Sequence, residues 1–170
     1  AYGLRALYMY YLLRQHAGWA NGELLGVPIL LEPEETGSDF NQSRATFEEC
    51  MQQLYADVEH AEALLPLDYE TLSSLPEGYS DLGDYNRVFG EYAKQRMTGR
   101  IAKTVRAQAA LLAASPAYAD GNTTTWTDVA NYAGEVLAEN GGESGIAANG
   151  HTWYKNASQI SGIGGGNNPP

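Results

Sequence analysis

Three clusters of aromatic and amide residues stand out as the chemistry this chain can offer a ligand. They are Trp19-Ala-Asn21, the run from Tyr79 to Arg87 with Tyr92 close behind, and His151-Thr-Trp-Tyr-Lys-Asn156. A flat ring presents an apolar face to the apolar face of a pyranose, while neighbouring amides, carboxylates and guanidinium groups take the hydroxyls. With 12 Tyr, 3 Trp and 3 Phe in 170 residues, aromatics are numerous enough to serve both a core and a binding surface. The residues expected to contact such a ligand are Trp19, Asn21, Tyr79, Tyr85, Asn86, Trp153 and Tyr154. Trp126 opens an apolar stripe and is expected to cover the helical core instead.

Bond-breaking chemistry has much less to work with. His16, His60 and His151 are far apart in sequence, and none sits in a His-Glu-x-x-His or His-x-His arrangement, so no zinc site is predicted. There is no Gly-x-Ser-x-Gly nucleophile elbow, and the glycines from Gly162 to Gly166 follow no strand and open no helix, as a phosphate-binding loop would. Asp81 with Asp84 and Glu34 with Glu35 are carboxylate pairs of the type that hydrolyse glycosides, but nothing in the sequence sets either pair across a substrate. The single cysteine, Cys50, cannot form an internal disulfide, and Glu48 and Glu49 beside it work against a reactive thiolate. The reading is a non-catalytic protein without cofactor or metal. Asn41, Asn122 and Asn156 each open a glycosylation-acceptor tripeptide, a pattern short enough to arise by chance.

Charge narrows the partners further. The formal net charge is −11 with a pI near 4.5, and the 10 basic residues form no stripe that would neutralise phosphates, which excludes nucleic acid. Acidic residues concentrate in Glu32–Glu35 and Asp57–Glu62, read as a solvated loop and a solvated helix face. No apolar run approaches the roughly 18 residues of a membrane span.

Four helices must position these groups. The first covers Tyr2 to His16, with Leu4, Leu7, Tyr8, Tyr11 and Leu12 at helical spacing. The second opens on the capping box Thr46-Phe-Glu-Glu49, carries the stripe Phe47, Met51, Leu54, Val58, Ala61 and Leu65, and ends before Pro66. Its water-facing side is read as Glu48, Gln52, Asp57, Glu59 and Glu62. The third is capped by Thr98, runs alanine-rich to Ser115-Pro116, and has a face small enough for another helix to approach closely. The fourth runs from Trp126 to Glu139 behind Thr125, with Gly141 as a left-handed stop and a short enough connection to force an antiparallel hairpin with the third. No strong strand is read; Val27-Pro-Ile-Leu-Leu31 is the best candidate, and its proline demotes it to an edge or extended loop. The fold class is therefore all-α, antiparallel helical hairpins of tetratricopeptide-like type. Two long irregular loops, 18–45 and 67–97, interrupt a scaffold over 1–145, and 146–170 begins a following, truncated region.

Taken in order, several short motifs resemble the SusD/RagB family: Leu4-Arg-Ala-Leu-Tyr8, Gly26-Val-Pro-Ile29, Arg44-Ala-Thr-Phe-Glu48, the stretch from Asp57 to Pro66, Gly99-Arg-Ile-Ala-Lys103, Ala109 to Ala113, and Ser115-Pro116. The resemblance spans about Leu4 to Gly141, with the third helix as its strongest marker. It implies an outer-membrane lipoprotein of Bacteroidetes-type bacteria, facing outward and serving polysaccharide utilisation. Such a protein captures an oligosaccharide in its loops and delivers it to a TonB-dependent transporter barrel of the SusC-like type. Family members are longer, with a lipidated N-terminal segment and a large C-terminal part. The chain lacks the anchoring cysteine, so membrane association through a lipid anchor rests on the resemblance. Its opening inside a helical pattern and its Gly/Asn/Pro-rich end read as interruptions of a longer protein. The alternative function is a tetratricopeptide-type protein-interaction scaffold that binds no carbohydrate.

Overall fold

A computed structural model of the chain describes residues 1–146. It divides into two compact units, Ala1–Val136 and Leu137–Pro170. In the first unit the elements are α1 (Tyr2–His16), β1 (Gly18–Ala20), β2 (Glu23–Leu25), α2 (Phe47–Leu64), α3 (Leu82–Phe89), α4 (Gly99–Ala113) and most of α5 (Trp126–Glu139). Single 3-10 turns lie at Glu91–Ala93 and Ala119–Gly121. Of the second unit, the described residues hold the end of α5 and a 3-10 turn at Gly142–Gly145 behind Gly141, whose φ of 88° is the left-handed stop expected of it.

Helices α1, α2 and α4 pack on one another and hold the core. Ala6, Met9 and Leu13 come from α1, Phe47, Met51, Leu54 and Val58 from α2, and Ala102, Val105, Ala109 and Ala113 from α4. Both neighbours run antiparallel to α2. The start of α1 meets the end of α2, where Tyr2 stacks on His60 with ring centroids 4.9 Å apart, and the start of α4 also meets the end of α2. The Thr-Gly-Arg opening of α4 explains that second junction. Thr98 accepts from the Ile101 amide, the Gly99 and Arg100 amides donate to the Pro66 and Leu67 carbonyls, and the Arg100 guanidinium grips the Asp68 carboxylate at 2.6 to 3.1 Å. A Cβ on Gly99 would lie 3.3 Å from the Pro66 carbonyl oxygen, so the glycine sets how near the two helix ends come.

The capping box of α2 forms as read, with the Thr46 hydroxyl accepting from the Glu49 amide while the Glu49 carboxylate accepts from the Thr46 amide. Thr125 and Asp128 make the same exchange at the start of α5. These hydrogen bonds hold the Glu49 and Asp128 carboxyls below their ordinary values of 4.5 and 3.8, and the hydrogen bond from Arg100 does the same for Asp68. A carboxyl depressed in the folded state stabilises it above its unfolded pKa and loses that contribution as pH falls through the folded value. The midpoint of thermal unfolding should therefore be level above about pH 5 and fall progressively from about pH 4 downward. Calorimetry across that range checks it, and a stability that rises on acidification would refute it.

Four expectations change. The stripe expected to bury α1 is its open side: Leu4, Tyr8, Tyr11 and Leu12 are 43 to 61% exposed, while Gly3, Ala6, Met9 and Leu13 face inward. The reason is backbone approach. A Cβ on Gly3 would lie 2.5 Å from the Met97 Cγ, so at its start the helix turns its small residues, Gly3 and Ala6, toward its neighbours. Asp57, read as solvated, is 1% exposed and receives two hydrogen bonds from Arg5 at 2.6 and 2.7 Å and one from Gln53. Trp126 does not cover the core; it is 60% exposed, and no residue of α5 is buried. Instead of a small-residue seam, long side chains join α5 to α4 and α2: Arg106 lies 4.5 Å over the Tyr132 ring, and Tyr55 meets Tyr132 at 5.7 Å. Burial pushes the Tyr55 hydroxyl up to about 12, against the hydrogen bond it shares with Thr124. Finally, the two long loops are not structureless, since the first holds the β1–β2 hairpin and the second holds α3. The segment from Val27 to Leu31 forms no strand.

Candidate functional site

Asn21-Gly22 makes the hairpin. Their φ values of 53° and 83° are both positive, as the two-residue turn that matches strand twist requires, and they pair Trp19 with Leu24 and Ala20 with Glu23. Asn21 thus serves the turn, with its side chain at the surface. On the neighbouring strand position Trp19 is 51% exposed, yet its indole N–H donates to the Ala117 carbonyl at 3.1 Å. The ring is open to solvent and held in one orientation.

Several segments distant in sequence support that ring. Arg44 donates to the carbonyls of His16, Leu25 and Gly26, which ties the end of α1, the hairpin and the approach to α2 into one piece. The connection after α4 closes over β2, where a Cβ on Gly121 would lie 2.5 Å from the Leu24 side chain. Only glycine allows that approach, and it carries Asp120 to the hairpin. The result is a cleft of about 460 Å³ lined by Trp19, Glu23, Leu24, Thr46, Glu48 and Asp120. Glu48 is already engaged, accepting from the Thr123 amide and hydroxyl and from Gln52. Glu23 and Asp120 carry exposed carboxylates with no hydrogen-bond or ion-pair partner among the described residues. Chemically the cleft offers one locked aromatic face ringed by acceptors.

The tyrosines of the second loop gather elsewhere. Tyr79 meets Tyr85 edge-on at 4.7 Å and Phe89 at 6.0 Å, Tyr85 meets Phe89 at 5.1 Å, and Tyr69 stacks behind Phe89. Burial, and then the neighbouring Tyr79, push the Tyr85 hydroxyl up. Asn86 uses its amide on the backbone of Leu72, receiving from its N–H at 2.8 Å and donating to its carbonyl at 2.9 Å, so it staples the loop to α3. This group folds the loop on itself, although Tyr79 keeps 47% of its surface open. Trp153 and Tyr154 lie outside the described residues. Sequence reasoning chose Trp19 but passed over Thr46, Glu23, Glu48 and Asp120. The Asn-Gly pair between Trp19-Ala20 and Glu23-Leu24 was the signal that announced the hairpin.

Two other clefts are more apolar. One, of about 380 Å³, lies between α1 and the extended segment and is lined by Leu4, Tyr8, Leu12, Ile29, Leu30 and Leu31; the other, of about 410 Å³, lies beside Met97. Neither surrounds an aromatic platform with free carboxylates.

The described residues thus form an all-α packing of antiparallel helices that carries a small β-hairpin with Trp19 on it. Residues 1–81 match the SusD-like family model SusD-like_3, described as starch-binding associating with outer membrane, and are similar to that part of a SusD/RagB-family protein. That match takes in α1, the hairpin and α2, and stops short of α4. No curated protein and no solved structure matches the chain.

Proposed function

We propose that this protein binds an oligosaccharide of the starch type at the bacterial outer membrane without cleaving it, and that the Trp19 cleft is a site of contact. The observation that carries the reading is the locked, half-open indole of Trp19 set among carboxylate and hydroxyl groups, on a segment matched to a family described as starch-binding. A platform held by its own hydrogen bond loses little freedom when a sugar stacks on it. The surrounding oxygens accept from sugar hydroxyls, which fixes the ring that the indole holds. A single stacked ring contributes about 1 kcal/mol, so affinity is modest and capture depends on delivery. Lipid anchoring at the cell surface and transfer to a TonB-dependent transporter complete the reading. They rest on resemblance to the family. The chain's own residues supply binding and orientation.

Titration of the full chain with maltose through maltoheptaose, followed by calorimetry and tryptophan fluorescence, tests the proposal. Saturable binding that strengthens with chain length and produces no new reducing ends is the expected result. Absence of binding by every member of the series, or release of reducing sugar, would overturn it.

A further inference from the structure

The rim of the Trp19 cleft carries an uneven charge. Glu23, Glu48 and Asp120 contribute three carboxylates, and no lysine or arginine is among its lining residues. Glu48 is occupied by Thr123 and Gln52, whereas Glu23 and Asp120 are open and unpartnered among the described residues. Gly121 is what brings the last two together, because any side chain there would collide with Leu24 and drive the Asp120 turn off the hairpin. The start of α2 also reaches this cleft through Thr46, and its positive end would oppose a cation. Glu48 and Glu49 already stand in its first turn, and the Glu49 carboxyl is held ionised by the Thr46 amide and hydroxyl.

We infer that the cleft selects its sugar by charge: it prefers a glycan bearing a protonated amino group beside the ring stacked on Trp19, accepts neutral sugars less well, and rejects uronic acids. This inference rests on the glycan-binding reading above and specifies its ligand class. An ammonium group near the indole gains from the ring quadrupole and from both open carboxylates, whereas a uronate meets three like charges and no counter-charge. Neutral hydroxyls still find acceptors, so discrimination is graded toward neutral sugars and steep against acidic ones.

The net charge of −11 attracts any polycation, so the probes must carry a single charge. Four trisaccharides serve: N-acetylglucosamine trimer, the same trimer with one residue deacetylated, maltotriose, and a maltotriose oxidised to carry one uronic acid. At about 20 mM ionic strength the full chain should bind the deacetylated trimer about tenfold more tightly than its fully acetylated parent, and the gap should narrow sharply at about 0.5 M salt. The uronate should bind at least tenfold less tightly than maltotriose. Replacing Glu23→Gln and Asp120→Asn together should shrink both affinity ratios to within about twofold while the thermal unfolding midpoint is unchanged, because neither carboxylate has a partner in the fold among the described residues. Equal affinities across the charge series at low salt would overturn the inference while leaving glycan binding intact. So would an amine preference that survives in Trp19→Ala, since that would show general attraction to an acidic protein. If no trisaccharide of any charge binds, the glycan reading itself fails.

Discussion

Trp19→Ala is expected to raise the dissociation constant for malto-oligosaccharides about fivefold, a loss of about 1 kcal/mol, while helical content is unchanged and the melting temperature moves by only a few degrees. The functional loss is large because the indole is the one aromatic face in its cleft, and a weak site has little else to rely on. The structural loss is small because the ring is half exposed and its contribution to folding is one hydrogen bond to Ala117 and one cross-strand pair with Leu24. Trp19→Phe separates the two roles of the side chain. It keeps a stacking face but cannot donate to Ala117, so affinity should fall between those of the parent and the alanine variant. Trp126→Ala provides the control: Trp126 is more exposed than Trp19, and its indole N–H has no partner among the described residues that would hold the ring in place. Unchanged binding in Trp19→Ala, or an equal loss in Trp126→Ala, would remove the cleft as the site.

The second large effect concerns stability. Arg5→Met should destabilise the fold by about 3–5 kcal/mol, a substantial part of the roughly 5–15 kcal/mol that holds a domain together. Asp57 is almost fully enclosed, and its carboxylate is satisfied by the two Arg5 nitrogens and by Gln53. Removing the guanidinium leaves a buried anion with one neutral donor, and that desolvation is the source of the cost. The same hydrogen bond raises the Arg5 pKa, so the guanidinium stays charged at any accessible pH. Asp57→Leu combined with Arg5→Met should recover most of the loss, because two apolar side chains of similar bulk need no partners. Urea unfolding of the two variants beside the parent measures both figures. A loss under about 1 kcal/mol for Arg5→Met would mean that water reaches Asp57 and that the pair does not hold α1 to α2.

Asp57 also shows where reading from sequence fails. On a helical wheel it lies about 180° from Glu48, at the edge of the stripe of Leu54, Val58 and Ala61, so only its charged type argues for water. Only the arrival of Arg5 from another helix, 52 positions away, makes its burial possible. The α1 stripe misleads for a related reason. Periodicity identifies which residues share a face, but α1 has apolar residues on two faces, and the one with Gly3 and Ala6 at its start is the one its neighbours approach. Gly3 beside Met97 and Ala61 shows that the near approach prevailed. In the same way Trp126 begins a well-formed apolar stripe, yet α5 meets its neighbours through Arg106, Tyr132 and Tyr55, and the stripe stays open.

What the sequence determined by itself is local. The limits of α1, the capping box at Thr46, the cap at Thr98, the stop at Pro66 and the left-handed Gly141 all depend on hydrogen bonds and dihedral preferences within a few residues, which neighbouring side chains declare. Trp19 could be chosen for the same reason, since aromatic type and position after a helix are local facts. The cleft around it depends on residues 19 to 24, 46 to 48 and 120 to 121, three segments that share no periodicity. Tertiary structure alone decided that they meet, through Arg44 binding three carbonyls and Gly121 lying against Leu24. Tertiary structure also decided that Asn86 serves the backbone of Leu72 while Trp19 keeps a face for a ligand. A side chain's type sets what it can bind, and the chain brought beside it decides whether that capacity is used inside the fold or left at the surface.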